Sequence, residues 1–274
     1  MAAGTAAALG LIVGSFLNVV IHRLPRMLQR EWHEQCAELT GATAPPAPRF
    51  DLLHPRSHCP ACKTPVAPWH NVPLLGYAWL RGRCAACSAA IPIRYPLVEC
   101  AGGVLAAAAV WRFGFNATGL SAAVLAWALL ALAMIDLDTQ LLPDDITLPF
   151  VWLGLLVNLY ALHASLTAAV VGAMTGYLVL WLVYHAFRLA TGKEGMGYGD
   201  FKLLAMLGAW LGWQQLPVIV VLSSFVGAVV GIGLIVFRRH DRSVPIPFGP
   251  YLAAAGWIAL MWGDSILAGY LGRV

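Results

Sequence analysis

Apolar residues in this chain come in long unbroken blocks. Eight blocks approach the roughly 20 apolar residues that carry a helix across a bilayer. They lie near residues 2–22, 96–115, 118–137, 143–162, 165–189, 200–214, 217–237 and 248–270. The sixth is short at its uncharged core, and Asp200 opens it; Asp136 lies at the end of the third. The first block has no basic stretch before it, and basic residues follow it instead, so it reads as a retained helix and not as a cleaved signal peptide. The pattern predicts an all-α polytopic membrane protein with about eight transmembrane helices. Its parts would be a first helix over 1–22, one sizeable soluble loop over 23–95, and a seven-helix core over 96–274.

Composition excludes two classes. The chain of 274 residues is 60% hydrophobic and 11% charged, whereas soluble domains run roughly 45–50% apolar and about 25% charged. An ordinary soluble protein does not fit, and neither does a disordered chain. A net charge of +4 on so few charged residues does not suit nucleic acid, so none is expected as a partner. The placement of that charge is more informative. With eight spans, every Lys and Arg except Arg112 and Arg273 falls on the side of the 23–95 loop. Positive residues mark the cytoplasmic side. The loop is therefore expected in the cytoplasm and both termini outside it, and losing one span would destroy the asymmetry.

Within the loop, Ala44-Pro45-Pro46-Ala47-Pro48 breaks any helix. Two pairs follow, Cys59-Pro60-Ala61-Cys62 and Cys84-Ala85-Ala86-Cys87. Each CxxC turn presents two thiolates to one ion, and two turns complete a tetrahedron. Cys59, Cys62, Cys84 and Cys87 are thus candidate ligands of a structural zinc, its shell closed by four sulfurs. Disulfides or a redox dithiol are the rival, disfavoured in a reducing compartment. His54, His58 and His70 lie nearby and read as loop histidines, Cys36 as inert, and Cys100 as a small core residue of the second helix.

Acidic residues at the edges of spanning segments are costly and default to a functional hypothesis. Asp136, in Met134-Ile135-Asp136-Leu137-Asp138, and Asp200, in Gly197-Tyr198-Gly199-Asp200, fall on the same side in this topology. Two carboxylates on facing helices can share a proton, one then acting as base on water and the other as acid. The bland alternative is a pair of interfacial helix caps.

The residues then resemble a known family, the type IV prepilin peptidases. Gly14-Ser15-Phe16-Leu17-Asn18-Val19-Val20-Ile21-His22-Arg23-Leu24-Pro25 is similar to its N-terminal signature. Ile135-Asp136-Leu137-Asp138-Thr139-Gln140-Leu141-Leu142-Pro143-Asp144 resembles its first aspartate region. Gly197-Tyr198-Gly199-Asp200-Phe201-Lys202-Leu203 resembles the GxGD motif shared with presenilin-type proteases. Pro245-Ile246-Pro247-Phe248-Gly249-Pro250 resembles its C-terminal loop, and the cysteine loop is similar to the zinc-containing bacterial members.

The resemblance covers nearly the whole chain and implies a bacterial inner-membrane aspartic endopeptidase. It assigns catalysis to Asp136 and Asp200, the first aspartate being the earlier of the Asp-x-Asp pair. It implies prepilin and pseudopilin precursors as substrates, cut between Gly and Phe after a basic leader. It also implies methylation of the new N-terminus by S-adenosylmethionine, for which no residues stand out. Asp138, Asp144 and Asp145 read as ordinary charges near a helix start, and Glu194 as a solvated loop acid. Ser15 and Asn18, three apart, can hydrogen-bond another span. His163 and His185 read as helix-end residues. Two other classes remain: a metalloprotease, against which HExxH is absent, and a carboxylate-lined transporter or assembly scaffold.

Overall fold

The computed structural model describes residues 1–41, 49–193, 195–238 and 247–271. The Ala44–Pro48 run, Glu194, Arg239, Arg242, Pro245, Ile246 and Arg273 lie outside them. Among the described residues the chain is helical, with isolated bridges only in the cysteine loop. The helices are α1 (Ala2–Thr40), α2 (Leu75–Trp79), α3 (Arg94–Phe113), α4 (Ala117–Thr139), α5 (Asp144–Asn158), α6 (Leu166–Thr191), α7 (Tyr198–Leu211), α8 (Leu216–Arg238) and α9 (Gly249–Leu271). All eight apolar blocks are helical, but among the described residues six helices are long and apolar enough to cross a membrane: α1, α3, α4, α6, α8 and α9. The other two, α5 and α7, have 15 and 14 residues. At 1.5 Å per residue they reach only about 21–23 Å, short of a hydrocarbon core of about 30 Å.

The chain divides into two compact units, Met1–Trp111 and Arg112–Val274. In the first, α1 does not stop where its apolar run ends. It continues through Pro25 to Thr40, and Gly41 ends it in the left-handed conformation, φ 68°. Gly10 and Gly14, four apart, share one face. A Cβ at Gly10 would run into the Gly102 carbonyl, and one at Gly14 would lie 2.7 Å from the Glu99 Cα. Only glycine lets α1 and α3 approach so closely, the small-residue packing common between membrane helices. One turn further, Asn18 donates to the Tyr95 carbonyl at 3.1 Å, as its position on α1 predicts. Cys100 corrects an expectation. It is exposed, because α3 buries Val98, Glu99, Gly102, Gly103 and Ala106 and Cys100 lies off that stripe.

The second unit is built around α7. All its residues except Tyr198, Gly199 and Lys202 are buried, so it is a core helix apolar nearly all round. Gly172 and Gly176 of α6 let it in: a Cβ at Gly176 would sit 2.6 Å from the Leu204 carbonyl, and Gly208 abuts the Gly172 carbonyl in return. Helix α5 runs beside α7 in the same direction. At one end the Lys202 ammonium binds both Asp144 oxygens, at 2.6 and 2.7 Å. At the other, buried Asn158 donates to the Ala209 and Trp210 carbonyls at 2.9 Å, capping the last turn of α7. His163 precedes α6 and meets Ser121 Oγ at 2.9 Å.

Candidate active site and metal centre

Asp136 occupies the last turn of α4, where Gln140 ends the helix with φ 54°. Its side chain is buried, whereas Asp138, two residues on, is exposed. The Gly249 N–H, first in α9, donates to Asp136 Oδ2 at 2.9 Å. A carboxylate at a helix N-terminus meets both an unpaired donor and the positive end of the dipole. A side chain at Gly249 would stand 2.7 Å from Asp136 Oδ2, so the approach requires glycine.

Asp200 lies in the first turn of α7 and is buried too. Leu142, in the link from α4 to α5, fits between the two sites. A Cβ at Gly199 would meet its Cβ at 2.7 Å, and one at Gly249 would meet its Cδ2 at 3.2 Å. Tyr198 and Phe201, flanking Asp200, pack on Tyr184 of α6 with ring centroids 5.3 and 5.7 Å apart. The fold thus sets two buried carboxylates, 64 residues apart in sequence, beside segments that share Leu142 as a neighbour, leaves Asp138 exposed, and puts glycine backbone next to each of the two. Such a pair can hold one proton between two oxygens and activate a water.

The four loop cysteines form a separate cluster. Their sulfurs all lie within 4.8 Å of one another. Cys59–Cys87 and Cys62–Cys84 are 3.8 and 3.9 Å apart, close to the edge of about 3.8 Å that Zn–S bonds of about 2.3 Å give a tetrahedron. All four are free thiols in this structure. The two turns are built alike. Lys63 N–H returns to the Cys59 carbonyl and Ser88 N–H to the Cys84 carbonyl, both at 2.9 Å, with φ of 61° and 59° at Lys63 and Ser88. Thr64 hydrogen-bonds the Cys62 sulfur and holds that thiol down at about 6. The Cys87 and Ala86 N–H groups lower Cys84 as well. Cys87 goes the other way: although the Ala89 N–H lowers it, the neighbouring sulfurs and burial push it up to about 12. The donors at Cys62 and Cys84 and the close approach of four sulfurs fit a metal ion, and His54, His58 and His70 are not part of the cluster.

Comparison with known proteins places these sites in context. The bacterial peptidase A24 N-terminal domain matches residues 8–113, and the type IV leader peptidase family matches residues 123–232. A prepilin leader peptidase/N-methyltransferase of Stutzerimonas stutzeri is 56% identical over 267 residues, spanning 97% of this chain and 92% of the relative. The chain belongs to the type IV leader peptidase family. Relatives of the same description from Aeromonas hydrophila and Pseudomonas aeruginosa are 57% and 53% identical, covering 95% and 96% of this chain and 91% of each relative. No solved structure matches.

Against this leader peptidase background, three residues gain parts that their sequence context did not give them. Gly249 donates to Asp136; its signal was a glycine before Pro250 at a helix start. Lys202 joins Asp144, which is more than a helix-start charge. Leu142 had no signal, since a leucine in an apolar chain carries none.

Proposed function

We propose that this chain is a membrane aspartic endopeptidase that removes the leader from prepilins and pseudopilins, with Asp136 and Asp200 as its catalytic pair. The observation that carries the reading is the burial of two aspartates, one at the end of α4 and one at the start of α7, each beside glycine backbone that closes on the same Leu142. One carboxylate takes a proton from a water whose oxygen bonds to the scissile carbonyl carbon. The other, protonated, hydrogen-bonds the carbonyl oxygen and stabilises the charge growing there. As the C–N bond breaks, a proton passes to the departing amine, leaving a new carboxyl and a free N-terminus. The resemblance makes the bond Gly–Phe. The methylation half of the reading rests on the relatives' names and the resemblance. S-adenosylmethionine would supply the methyl group, and no side-chain set among the described residues singles out its place.

The cysteine cluster is read as a zinc site with a structural role, because four thiolates leave the ion no open position. The membrane is read as bacterial and inner, crossed eight times, with the 23–95 loop cytoplasmic and both termini periplasmic. Helix α6 supports this count. It is long enough to span, and it links the C-terminal end of α5 to the N-terminal end of α7. Those two ends then lie on opposite faces of the membrane. The Lys202–Asp144 and Asn158–Ala209 bonds set α5 and α7 parallel, so each of the two short helices runs from one face towards the other.

The test is cleavage of a pilin precursor by purified protein in detergent. The unmodified chain should release the leader, and Asp200→Asn should not; processing at an equal rate by Asp200→Asn would return the transporter or scaffold reading to first place. A cysteine at exposed Leu53, in a functional cysteine-reduced variant, should resist an impermeant thiol reagent in intact cells. Strong labelling there would reverse the orientation.

A further inference from the structure

On the face of the second unit between α6 and α8 lies an apolar groove of about 310 Å³. Val171, Thr175 and Val179 form one wall, spaced four apart along α6, and Val221 stands on the α8 wall. Leu204 of α7 is the floor. Trp213 stands at the end where the turn Trp213–Gln215 packs against both α6 and α8. Away from that turn, α6 and α8 have no extensive packing on each other. Val171, Val179 and Val221 are 38%, 42% and 68% exposed, so the groove faces the lipid.

Its position relative to the chemistry matters most. Asp200 and Leu204 are four apart and therefore share one side of α7. The floor of the groove lies one turn from the aspartate. From Leu204 to Trp213 the chain advances about 14 Å at 1.5 Å per residue, or some two to three turns of a partner helix. An acyl chain would match the apolar walls but has no use for a carboxylate pair at one end. A peptide whose apolar helix begins just past a scissile bond uses both: helix in the groove, bond at the aspartates.

We infer that this α6–α8 groove binds the apolar helix of the precursor, entered sideways from the bilayer, and sets the register that brings the scissile bond to Asp200. The inference rests on the peptidase reading. It makes the helix a binding element separate from the leader.

Two substrates separate the possibilities: a full precursor, and a short soluble peptide carrying the leader and a few residues beyond the bond. Val179→Trp and Val221→Trp fill the groove from its exposed walls. Val170→Trp is the control, equally lipid-facing at 40% exposure but nine residues from Val179 and so on the opposite side of α6. The filling variants should raise KM for the full precursor about tenfold, the scale of losing one buried apolar side chain. They should leave the short peptide unaffected, and the control should match the unmodified protein on both. Unaltered processing of the precursor by both filling variants would overturn the inference and leave lipid as the occupant. Equal loss on both substrates would also overturn it. A photoreactive residue at Val179 should cross-link the precursor's helix; capture of lipid only would count against it. If the peptidase reading itself fails, the unmodified protein cleaves neither substrate.

Discussion

Around Cys59 to Cys87 the backbone–backbone hydrogen bonds close within nine residues, and the cluster is partly open to solvent: Cys59 is buried, Cys62 and Cys84 half-buried, Cys87 exposed. Around α7 almost nothing is local. Its partners come from α5, α6 and α9, and its side chains are buried from Asp200 to Leu211 apart from Lys202. The first region keeps its shape by turn geometry and a donor set for a metal; the second by small residues that let backbones touch. Chemistry that tolerates solvent can use the first kind of frame. A pair of buried carboxylates needs the second, because only a packed surround excludes water while fixing two groups far apart in sequence.

The sharpest way to separate the two regions is through the aspartates. Asp136→Asn and Asp200→Asn should each lower cleavage by at least about a thousandfold, the range that acid–base groups supply. Bound metal, measured on the same preparations, should stay unchanged. The double variant should be no worse than either single one, since the two act as a unit.

Next comes the converse. In Cys59→Ser/Cys84→Ser, or after stripping the metal with a chelator, the metal content should fall from about one ion per chain to none. Residues 56–90 should become sensitive to protease while the helices of the second unit stay resistant. Unchanged metal content in the double variant would remove these cysteines as ligands.

Helix contact is the third lever. In Gly208→Ala the new methyl would collide with the Gly172 carbonyl. Overpacking of this kind costs about 1–3 kcal/mol, visible as a lower thermal midpoint in detergent. The matching change at Gly192, where nothing lies within 4 Å of a Cβ, meets no neighbour and is strained only by its φ of 69°.

The smallest effect belongs to the Lys202–Asp144 pair. Asp144 is 51% exposed, which keeps such a bridge within about 1 kcal/mol. Lys202→Ala and Asp144→Asn should retain substantial cleavage with a modest loss of stability, and Asp138→Asn should behave as unmodified.

Local features were legible in the sequence for the same reason that they are local. CxxC spacing encodes its own turn, and apolar blocks encode helices, so Cys59, Cys62, Cys84, Cys87 and all eight helical segments could be placed beforehand. The aspartates stood out because a charge inside an apolar run is rare, and the family resemblance gave them roles. Other features depended on partners that sequence does not name. The extension of α1 to Thr40 is polar and carries no membrane signal. Cys100 faces outward because α1 takes the neighbouring stripe of α3. The approach of Leu142 to both Gly199 and Gly249 exists only once three segments have met.

The enclosure of α7 also bears on how the protein meets different membranes. Bilayers differ in thickness, and a helix bathed in lipid answers by tilting or by deforming its surroundings. At about 21 Å, α7 would be a poor match to any of them. With protein on nearly every side it is not asked to match. Mismatch should fall first on α6 and α8, the spans with the least of their surface buried, and only through them on the segment bearing Asp200. A change in lipid chain length should then act first on how the outer helices lean, before it reaches the packing around Asp200.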